Sequence, residues 1–151
     1  MPKNQIADFV LPSTGDKTFV LSGLNAKALV IYFYPKDNTP GCTTEGMEFR
    51  DLHGEFRKAG CEIVGVSRDS LKSHEGFKAK MKFPFELLSD ADEALCTQLG
   101  VIKMKNMYGK QVRGIERSTF VIDRDRVIRK EWRGVKVPGH VQEVLDFVKT
   151  L

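Results

Sequence analysis

The sequence lacks any apolar run near the roughly 18 residues needed to cross a bilayer. Its longest uninterrupted apolar run covers residues 28–34, which is the length of a strand. The segment from Met1 to Gln5 lacks the apolar core of a secretory signal peptide. Internal repeats, low-complexity tracts and linkers rich in proline or serine are also missing. These absences exclude the membrane, collagen-like and secreted disulfide-rich classes and predict one domain over residues 1–151 with no membrane partner.

Cysteine is scarce, because the chain holds three, at positions 42, 61 and 96, and no Cys-x-x-Cys pair. Without an export signal, this usage is typical of a reducing compartment, so we expect a cytoplasmic protein whose thiols are catalytic, metal-binding or buried. A zinc site needs four convergent ligands, and the histidines at 53, 74 and 140 are scattered. The spacing therefore predicts no metal site.

What is present is an ordinary globular composition. Of the 151 residues, 41% are hydrophobic and 29% are charged, which argues against disorder. The formal net charge of +4 is small. A mild, dispersed excess of this kind is more typical of a solvated surface than of nucleic-acid binding.

Hydrophobic periodicity predicts alternating strands and helices followed by an antiparallel pair. The predicted elements are a hairpin (7–12 and 17–21), strands 28–34 and 61–67, helices 42–58 and 70–81, an irregular segment or short strand 83–88, a helix near 91–99 capped by Asp90, strands 116–123 and 126–132, and a helix beginning at Pro138. This order indicates an α/β fold, with a central mixed sheet flanked by helices on both faces. Ligands of such sheets gather beyond the carboxyl ends of the strands, which directs attention to the loop after residue 34.

That loop leads from the apolar strand into the first long helix and places Cys42 in the first helical turn. Unpaired backbone N–H groups and the positive end of the helix dipole favour a thiolate there. Thr39 can place its hydroxyl beside the sulfur; alternatively, it caps the helix while Cys42 packs as a small apolar residue. The position of the loop at a strand end favours a catalytic thiol.

The pattern Pro35-x-x-x-Thr39-x-x-Cys42 resembles the peroxiredoxin signature, and Arg117 resembles the distant arginine that completes that site. Longer strings are similar to the bacterioferritin-comigratory, or peroxiredoxin Q, subgroup of that family. They are Phe33-Tyr34-Pro35-Lys36, Asp37-Asn38-Thr39-Pro40-Gly41-Cys42-Thr43, Gly65-Val66-Ser67-Arg68-Asp69-Ser70, Ser89-Asp90 and Ser118-Thr119-Phe120-Val121-Ile122-Asp123. The resemblance covers nearly the whole chain and implies a thioredoxin-like fold and thiol-dependent reduction of hydroperoxides.

The resemblance also implies a role for each site residue. Cys42 attacks the terminal peroxide oxygen, while the Thr39 hydroxyl and the Cys42 N–H hold the peroxide in line. Arg117 favours the thiolate and the polarised transition state, Pro35 shields the sulfur from water, and Glu45 orients the arginine. Turnover forms a sulfenic acid on Cys42 and needs no metal or organic cofactor.

Two positions that carry a second cysteine in many members of the subgroup hold other residues here. The position five residues after Cys42 holds Met47, and the corresponding position in the next helix holds Lys78. Core packing explains both remaining cysteines, Cys61 and Cys96, although Cys96 stays a candidate resolving thiol. We therefore expect a one-cysteine cycle in which thioredoxin, glutaredoxin or a low-molecular-weight thiol reduces the sulfenic acid. Because no long exposed apolar helix indicates a dimer, we expect a monomer.

Other functions stay open at this point. Dithiol exchange of the thioredoxin type is disfavoured because Glu45 stands where the second cysteine of a Cys-x-x-Cys pair belongs. A redox-inactive binding module predicts slow reaction of Cys42 with peroxide. Nucleic-acid binding is suggested by the cations of residues 103–117 around Tyr108, although no nucleic-acid motif is present, so we expect no nucleic-acid partner.

The segment 101–114 has no clear periodicity and is predicted to be a loop of intermediate length directly before the strand of Arg117. Loops of this kind in compact domains are often functional. We expect Met104, Met107 and Tyr108 to border the substrate entrance.

Overall fold

The computed structural model of the protein describes residues 4–151, including every side chain in this range except that of Met107. Its strands are β1 (Val10–Ser13), β2 (Lys17–Val20), β3 (Ala28–Phe33), β4 (Cys61–Ser67), β5 (Glu86–Ser89), β6 (Ile102–Met107), β7 (Lys110–Ile115), β8 (Ser118–Asp123) and β9 (Ile128–Arg133). Its α-helices are α1 (Pro40–Lys58), α2 (Leu71–Met81), α3 (Ala94–Gln98) and α4 (His140–Val148). A short 3-10 helix, Leu21–Gly23, follows β2.

Seven of these strands make one mixed sheet in the order β2-β1-β5-β4-β3-β8-β9. β3, β4 and β5 run parallel to one another, whereas β1 with β2, β1 with β5, β3 with β8 and β8 with β9 pair antiparallel. The prediction of an α/β fold with a mixed sheet, flanking helices and an N-terminal hairpin is confirmed.

The central strand β3 is buried along its whole length because all of its residues are apolar or aromatic. Side chains alternate along a strand, so Val30 and Tyr32 point to one face and Leu29, Ile31 and Phe33 to the other. Each face carries its own apolar cluster. Register is fixed by this arrangement, since a one-residue slip would exchange the two faces.

Helices cover both faces of the sheet, as predicted. On the face of Tyr32, Phe49 of α1, Phe77 of α2 and Val144 of α4 join one cluster. On the opposite face, Leu95 of α3 packs into the second cluster. Within residues 4–151, no helix has the length and apolar content needed to span a bilayer.

The predicted cap of α3 is present in a longer-range form. The Asp90 carboxylate accepts hydrogen bonds from the backbone N–H groups of Leu95 (3.2 Å) and Cys96 (2.7 Å). It therefore satisfies two of the open donors at the start of this short helix, although the helix itself begins only at Ala94.

The prediction of a loop over residues 101–114 is wrong, because this segment forms the β6–β7 hairpin. The strands pair from Ile102 with Ile115 to Met107 with Lys110. The turn residues Tyr108 and Gly109 have φ angles of 51° and 78°, as a type I′ hairpin turn requires. Tyrosine is an unusual residue in such a turn, and most of the hairpin is exposed, so neither a turn signal nor a buried face marked it in the sequence.

Candidate active site

Cys42 lies where the sheet and the longest helix meet. The strand β3 delivers the chain to its carboxyl edge, the loop 34–39 turns it back, and α1 begins at Pro40 with Thr39 as N-cap. The first hydrogen bond of the helix runs from the Thr43 N–H to the Thr39 carbonyl at 2.9 Å. The Cys42 N–H therefore belongs to the open first turn, where backbone donors and the helix dipole attract negative charge. The residue itself is only 2% exposed.

Arg117 reaches this cysteine because of strand register. It directly precedes β8, rather than lying within the strand as predicted, and Ser118 pairs with Phe33 at the end of β3. The arginine is thereby placed at the same sheet edge as Cys42. Its Nη2 lies 3.4 Å from the Cys42 sulfur, so a permanent cation contacts the nucleophile.

The second branch of the same guanidinium holds Glu45. The Arg117 Nη1 donates to the Glu45 Oε1 at 2.6 Å, and the Glu45 side chain is fully buried one turn along α1 from the cysteine. Burial raises the pKa of Glu45 to about 7, although the adjacent Arg117 cation works in the opposite direction. Burial also disfavours the Arg117 cation, but Glu45 and Cys42 outweigh that effect and raise its pKa.

Close approach of the guanidinium depends on a glycine. A Cβ added at Gly41 would lie 3.0 Å from the Arg117 Nη2, so a side chain at this position would crowd the group that contacts the sulfur. The glycine of the sequence motif thus leaves room for the arginine beside Cys42.

Thr39 is not a side-chain cap, since its hydroxyl makes no hydrogen bond to the start of α1. Instead the Thr39 Oγ1 donates to the Lys36 carbonyl at 2.8 Å. With its proton engaged there, the hydroxyl oxygen keeps its lone pairs for a donor such as a peroxide O–H. Pro35 is half-buried directly beyond the carboxyl end of β3, and its shielding of the sulfur stays a prediction.

A buried network beneath the loop was not anticipated from the sequence. Asp37 is nearly fully buried and accepts hydrogen bonds from the Tyr34 hydroxyl (2.6 Å), the Ser73 hydroxyl (2.7 Å) and the His74 Nδ1 (2.7 Å). The other ring nitrogen of His74 faces the Leu88 carbonyl at 2.9 Å. Both ring nitrogens therefore face acceptors, which is the arrangement that a doubly protonated imidazole paired with Asp37 requires.

This network ties the loop before Cys42 to the start of α2. Burial disfavours the Asp37 carboxylate, but the hydrogen bonds from His74 and Tyr34 outweigh it and lower the pKa of Asp37. The Asp37 N–H in turn donates to the Asp69 carboxylate at 2.9 Å. Within residues 4–151, Asp37, Asp69 and His74 form a cluster with donor atoms within 4.8 Å of one another, but the hydrogen bonds above engage these atoms.

The other two cysteines lie away from Cys42. Cys61 pairs with Ala28 at the start of β3, whereas Cys42 lies beyond the end of this strand. Five residue steps of about 3.3 Å separate the two ends, roughly 16 Å. Cys96 packs in the cluster on the opposite face of the sheet from Cys42. A disulfide requires Cα atoms within about 7 Å.

Comparison with known proteins identifies the family of the chain. Residues 2–131 match the AhpC/TSA family. Peroxiredoxin Bcp of Xanthomonas campestris pv. campestris is 56% identical over 142 residues, covering 94% of this chain and 89% of the relative. Peroxiredoxin Bcp of Bacillus subtilis is 46% identical over 144 residues, covering 95% and 92%. A solved structure of Xanthomonas campestris peroxiredoxin Q superposes with a TM-score of 0.89 at 55% identity, covering 94% of this chain and 90% of that one.

Proposed function

This chain belongs to the AhpC/TSA family and is a thiol-dependent peroxidase of the peroxiredoxin Bcp, or Q, type with a thioredoxin-like fold, and on that premise we propose that Cys42 reduces hydroperoxides in a one-cysteine cycle closed by an external thiol. Hydrogen peroxide and organic hydroperoxides are the proposed substrates. Thioredoxin, glutaredoxin or a low-molecular-weight thiol is the proposed reductant. The monomeric state, the cytoplasmic location and the single domain over residues 1–151 remain predictions from the sequence.

The first step is nucleophilic attack on the terminal peroxide oxygen. The Cys42 thiolate forms the S–O bond, the O–O bond breaks, and the leaving oxygen takes one proton to become water or an alcohol. Cys42 is left as a sulfenic acid, oxidised by two electrons. In this proposal the Thr39 hydroxyl and the Cys42 N–H hold the peroxide oxygens in line with the sulfur.

The observation that carries this proposal is the single guanidinium shared by Cys42 and Glu45. Charge spreads over sulfur and both peroxide oxygens as the bond breaks, and a fixed cation beside the sulfur stabilises that charge without reorganising. Glu45 fixes the orientation of Arg117 through its hydrogen bond at 2.6 Å. Because burial keeps Glu45 partly protonated near neutrality, it neutralises only part of the arginine charge.

We predict a change of slope near pH 7 in the rate of Cys42 oxidation, caused by Glu45. Below this pH, Glu45 is protonated and the Arg117 charge stabilises the sulfur alone. Above it, the Glu45 carboxylate neutralises part of that charge. Glu45→Gln keeps an acceptor for the Arg117 Nη1 and removes the titration. We expect this variant to lose the change of slope and to react about two- to fivefold faster at pH 8, equivalent to ~0.5–1 kcal/mol.

Stopped-flow measurement of peroxide reaction from pH 5.5 to 9 tests this prediction, with Glu55→Gln, an exposed position on the same helix, as the matched control. The control should retain the change of slope. Its persistence in Glu45→Gln would assign the titration to another group.

The resolving step depends on where the remaining thiols lie. Cys61 and Cys96 are both buried and both far from Cys42 in the fold. Burial raises the pKa of Cys61 to about 12, and burial together with the Asp90 carboxylate raises that of Cys96 well above its usual range. A protonated thiol is a poor nucleophile, so both distance and protonation support an external reductant.

Mass spectrometry after one equivalent of peroxide tests the one-cysteine cycle. We expect one added oxygen on Cys42 and no internal disulfide. Cys61→Ser and Cys96→Ser, singly and together, should keep turnover with an external thiol within about twofold of the parent, since neither sulfur takes part. Alanine at the same positions controls for a buried hydroxyl. Should Cys96→Ser abolish thioredoxin-driven turnover while leaving sulfenic acid formation intact, the one-cysteine cycle is wrong.

A further inference from the structure

The β6–β7 hairpin combines positive charge with exposed apolar side chains. Residues 101–115 contain four cations and no acidic residue. Among the residues that the structure describes, five large apolar side chains are exposed, and three of them belong to this hairpin. These three are Met104 (60% exposed), Tyr108 (100%) and Val112 (40%).

Strand alternation sorts the hairpin into two faces. Lys103 pairs with Gly114, Lys105 with Val112 and Met107 with Lys110. Because side chains on paired residues share a face, Lys103, Lys105, Lys110 and Val112 lie on one face, which we call the basic face. Arg113 lies on the opposite face.

The opposite face anchors the hairpin to the body of the protein. Arg113 pairs with Glu93, directly before α3, at 2.5 Å. Glu93 also holds Arg68, at 2.8 Å, and Arg68 donates to the Arg113 carbonyl at 3.4 Å. These contacts fix the hairpin against the sheet, and none of them involves a side chain of the basic face.

The basic face adjoins the active site. The Lys105 Nζ donates to the Ile115 carbonyl at 2.6 Å, two residues before Arg117. Burial lowers the pKa of Lys105, the Arg117 cation lowers it further, and Cys42 opposes both. The charges of Lys105, Arg117 and Cys42 therefore act on one another, and the basic face continues into the cation that contacts the catalytic sulfur.

We propose that the basic face docks an acidic dithiol protein, which delivers its thiol to the Cys42 sulfenic acid. This inference rests on the external-thiol cycle proposed above. Cys42 is 2% exposed, so a protein reductant must be recognised by the rim of the site. The lysines of this face surround the exposed Val112 and lie next to the exposed turn residue Tyr108. This arrangement suits an acidic partner with a small apolar centre, since charge steers the encounter and apolar contact holds it.

The docked thiol closes the cycle in two balanced steps. Its sulfur attacks the Cys42 sulfenic acid, forming a mixed disulfide and releasing the sulfenic oxygen as water. The partner's second thiol then attacks the partner's first sulfur, which is bonded to Cys42, and releases Cys42 as the thiolate. The partner leaves as an internal disulfide, having supplied two electrons.

Two other occupants fit the basic face less well. A second copy of this chain would meet it, across a two-fold axis, with the same cations, and like charges repel. A single-stranded nucleic acid is held by stacking successive bases on several aromatic side chains, whereas residues 101–115 contain one, Tyr108.

The test reverses two exposed charges of the basic face that lie outside the catalytic machinery, in Lys103→Glu/Lys110→Glu. The matched control, Lys58→Glu/Lys149→Glu, makes the same charge change at the opposite end of β3, where Lys58 and Lys149 line one surface depression. Each protein is oxidised with one equivalent of peroxide, and reduction of its sulfenic acid is followed by stopped flow. The probes are reduced thioredoxin of net negative charge and dithiothreitol.

We expect Lys103→Glu/Lys110→Glu to lower the rate constant for thioredoxin by about ten- to hundredfold and to abolish its decrease with added salt. Its reaction with peroxide and with dithiothreitol should stay within about twofold of the parent, and the control should match the parent throughout. An unchanged thioredoxin rate overturns the proposal. The proposal is also overturned if the parent dimerises with rising concentration, or retards single-stranded DNA in a gel, and Lys103→Glu/Lys110→Glu alone abolishes that behaviour without changing the thioredoxin rate. If parent sulfenic acid resists both thiols, the one-cysteine cycle itself fails, which is a distinct result.

Discussion

Arg117→Ala is expected to lower the rate constant for reaction of Cys42 with hydrogen peroxide by about 10²- to 10³-fold, the usual effect of removing one donor from a preorganised charge-stabilising site. The Nη2 atom lies 3.4 Å from the sulfur and is the cation that contacts it. Loss of the side chain also leaves the buried Glu45 without its cationic partner, so the Glu45 carboxyl becomes neutral. Single-turnover stopped flow at pH 7 measures the effect directly.

Two variants show whether charge or geometry is responsible. Arg117→Lys keeps the charge but cannot contact Cys42 and Glu45 through two branches, so we expect an intermediate rate. Arg124→Ala, at the exposed turn after β8, removes an arginine that donates to the Ala26 carbonyl at the opposite end of β3 and should react like the parent. A rate for Arg117→Ala within threefold of the parent would contradict the proposed role.

His74→Ala is expected to lower the free energy of unfolding by about 3–5 kcal/mol, the range for removing one member of a buried ion pair. The substitution leaves the Asp37 carboxylate buried without its cation and the Leu88 carbonyl without a donor. Because Asp37 belongs to the loop that sets the start of α1, we also expect slower reaction of Cys42 with peroxide in the folded variant.

Urea unfolding of His74→Ala and Ser73→Ala gives the comparison. Ser73 contributes one neutral hydroxyl to the same carboxylate, so its loss should lower stability by only about 1 kcal/mol. Equal effects of the two variants, with equal slopes in urea, would show that His74 and Asp37 are not a charged pair.

The sheet could be read from the sequence because its core strands are unambiguous. In β3, apolar and β-branched residues run without interruption, and β4 is buried along its length apart from Glu62. Burial on both faces therefore leaves no alternative arrangement. The contact between Cys42 and Arg117 was anticipated only through the family resemblance. No local pattern links residues 75 positions apart, and strand register brings them together.

The elements that were missed lack such local signals. In β6, the three alternating residues Ile102, Lys103 and Met104 are too few to establish a strand period, and Tyr108-Gly109 is not a usual pair for a hairpin turn. The pairing of Asp37 with His74 joins a loop to a helix and has no sequence period at all. An aspartate directly after a buried strand and a histidine four residues after the helix cap Ser70 were each visible separately.

Placement of Cys42 and Cys96 on opposite faces of the central sheet also bears on survival under oxidative stress. Chains with a neighbouring thiol shelter the oxidised cysteine as a disulfide, but here the sheet stands between Cys42 and Cys96. If a second peroxide reacts with the sulfenic acid before a reductant does, the sulfenic acid is oxidised to a sulfinic acid, which ordinary thiols do not reduce. The ratio of peroxide to reducing thiol therefore governs how many turnovers each molecule completes before it is permanently inactivated.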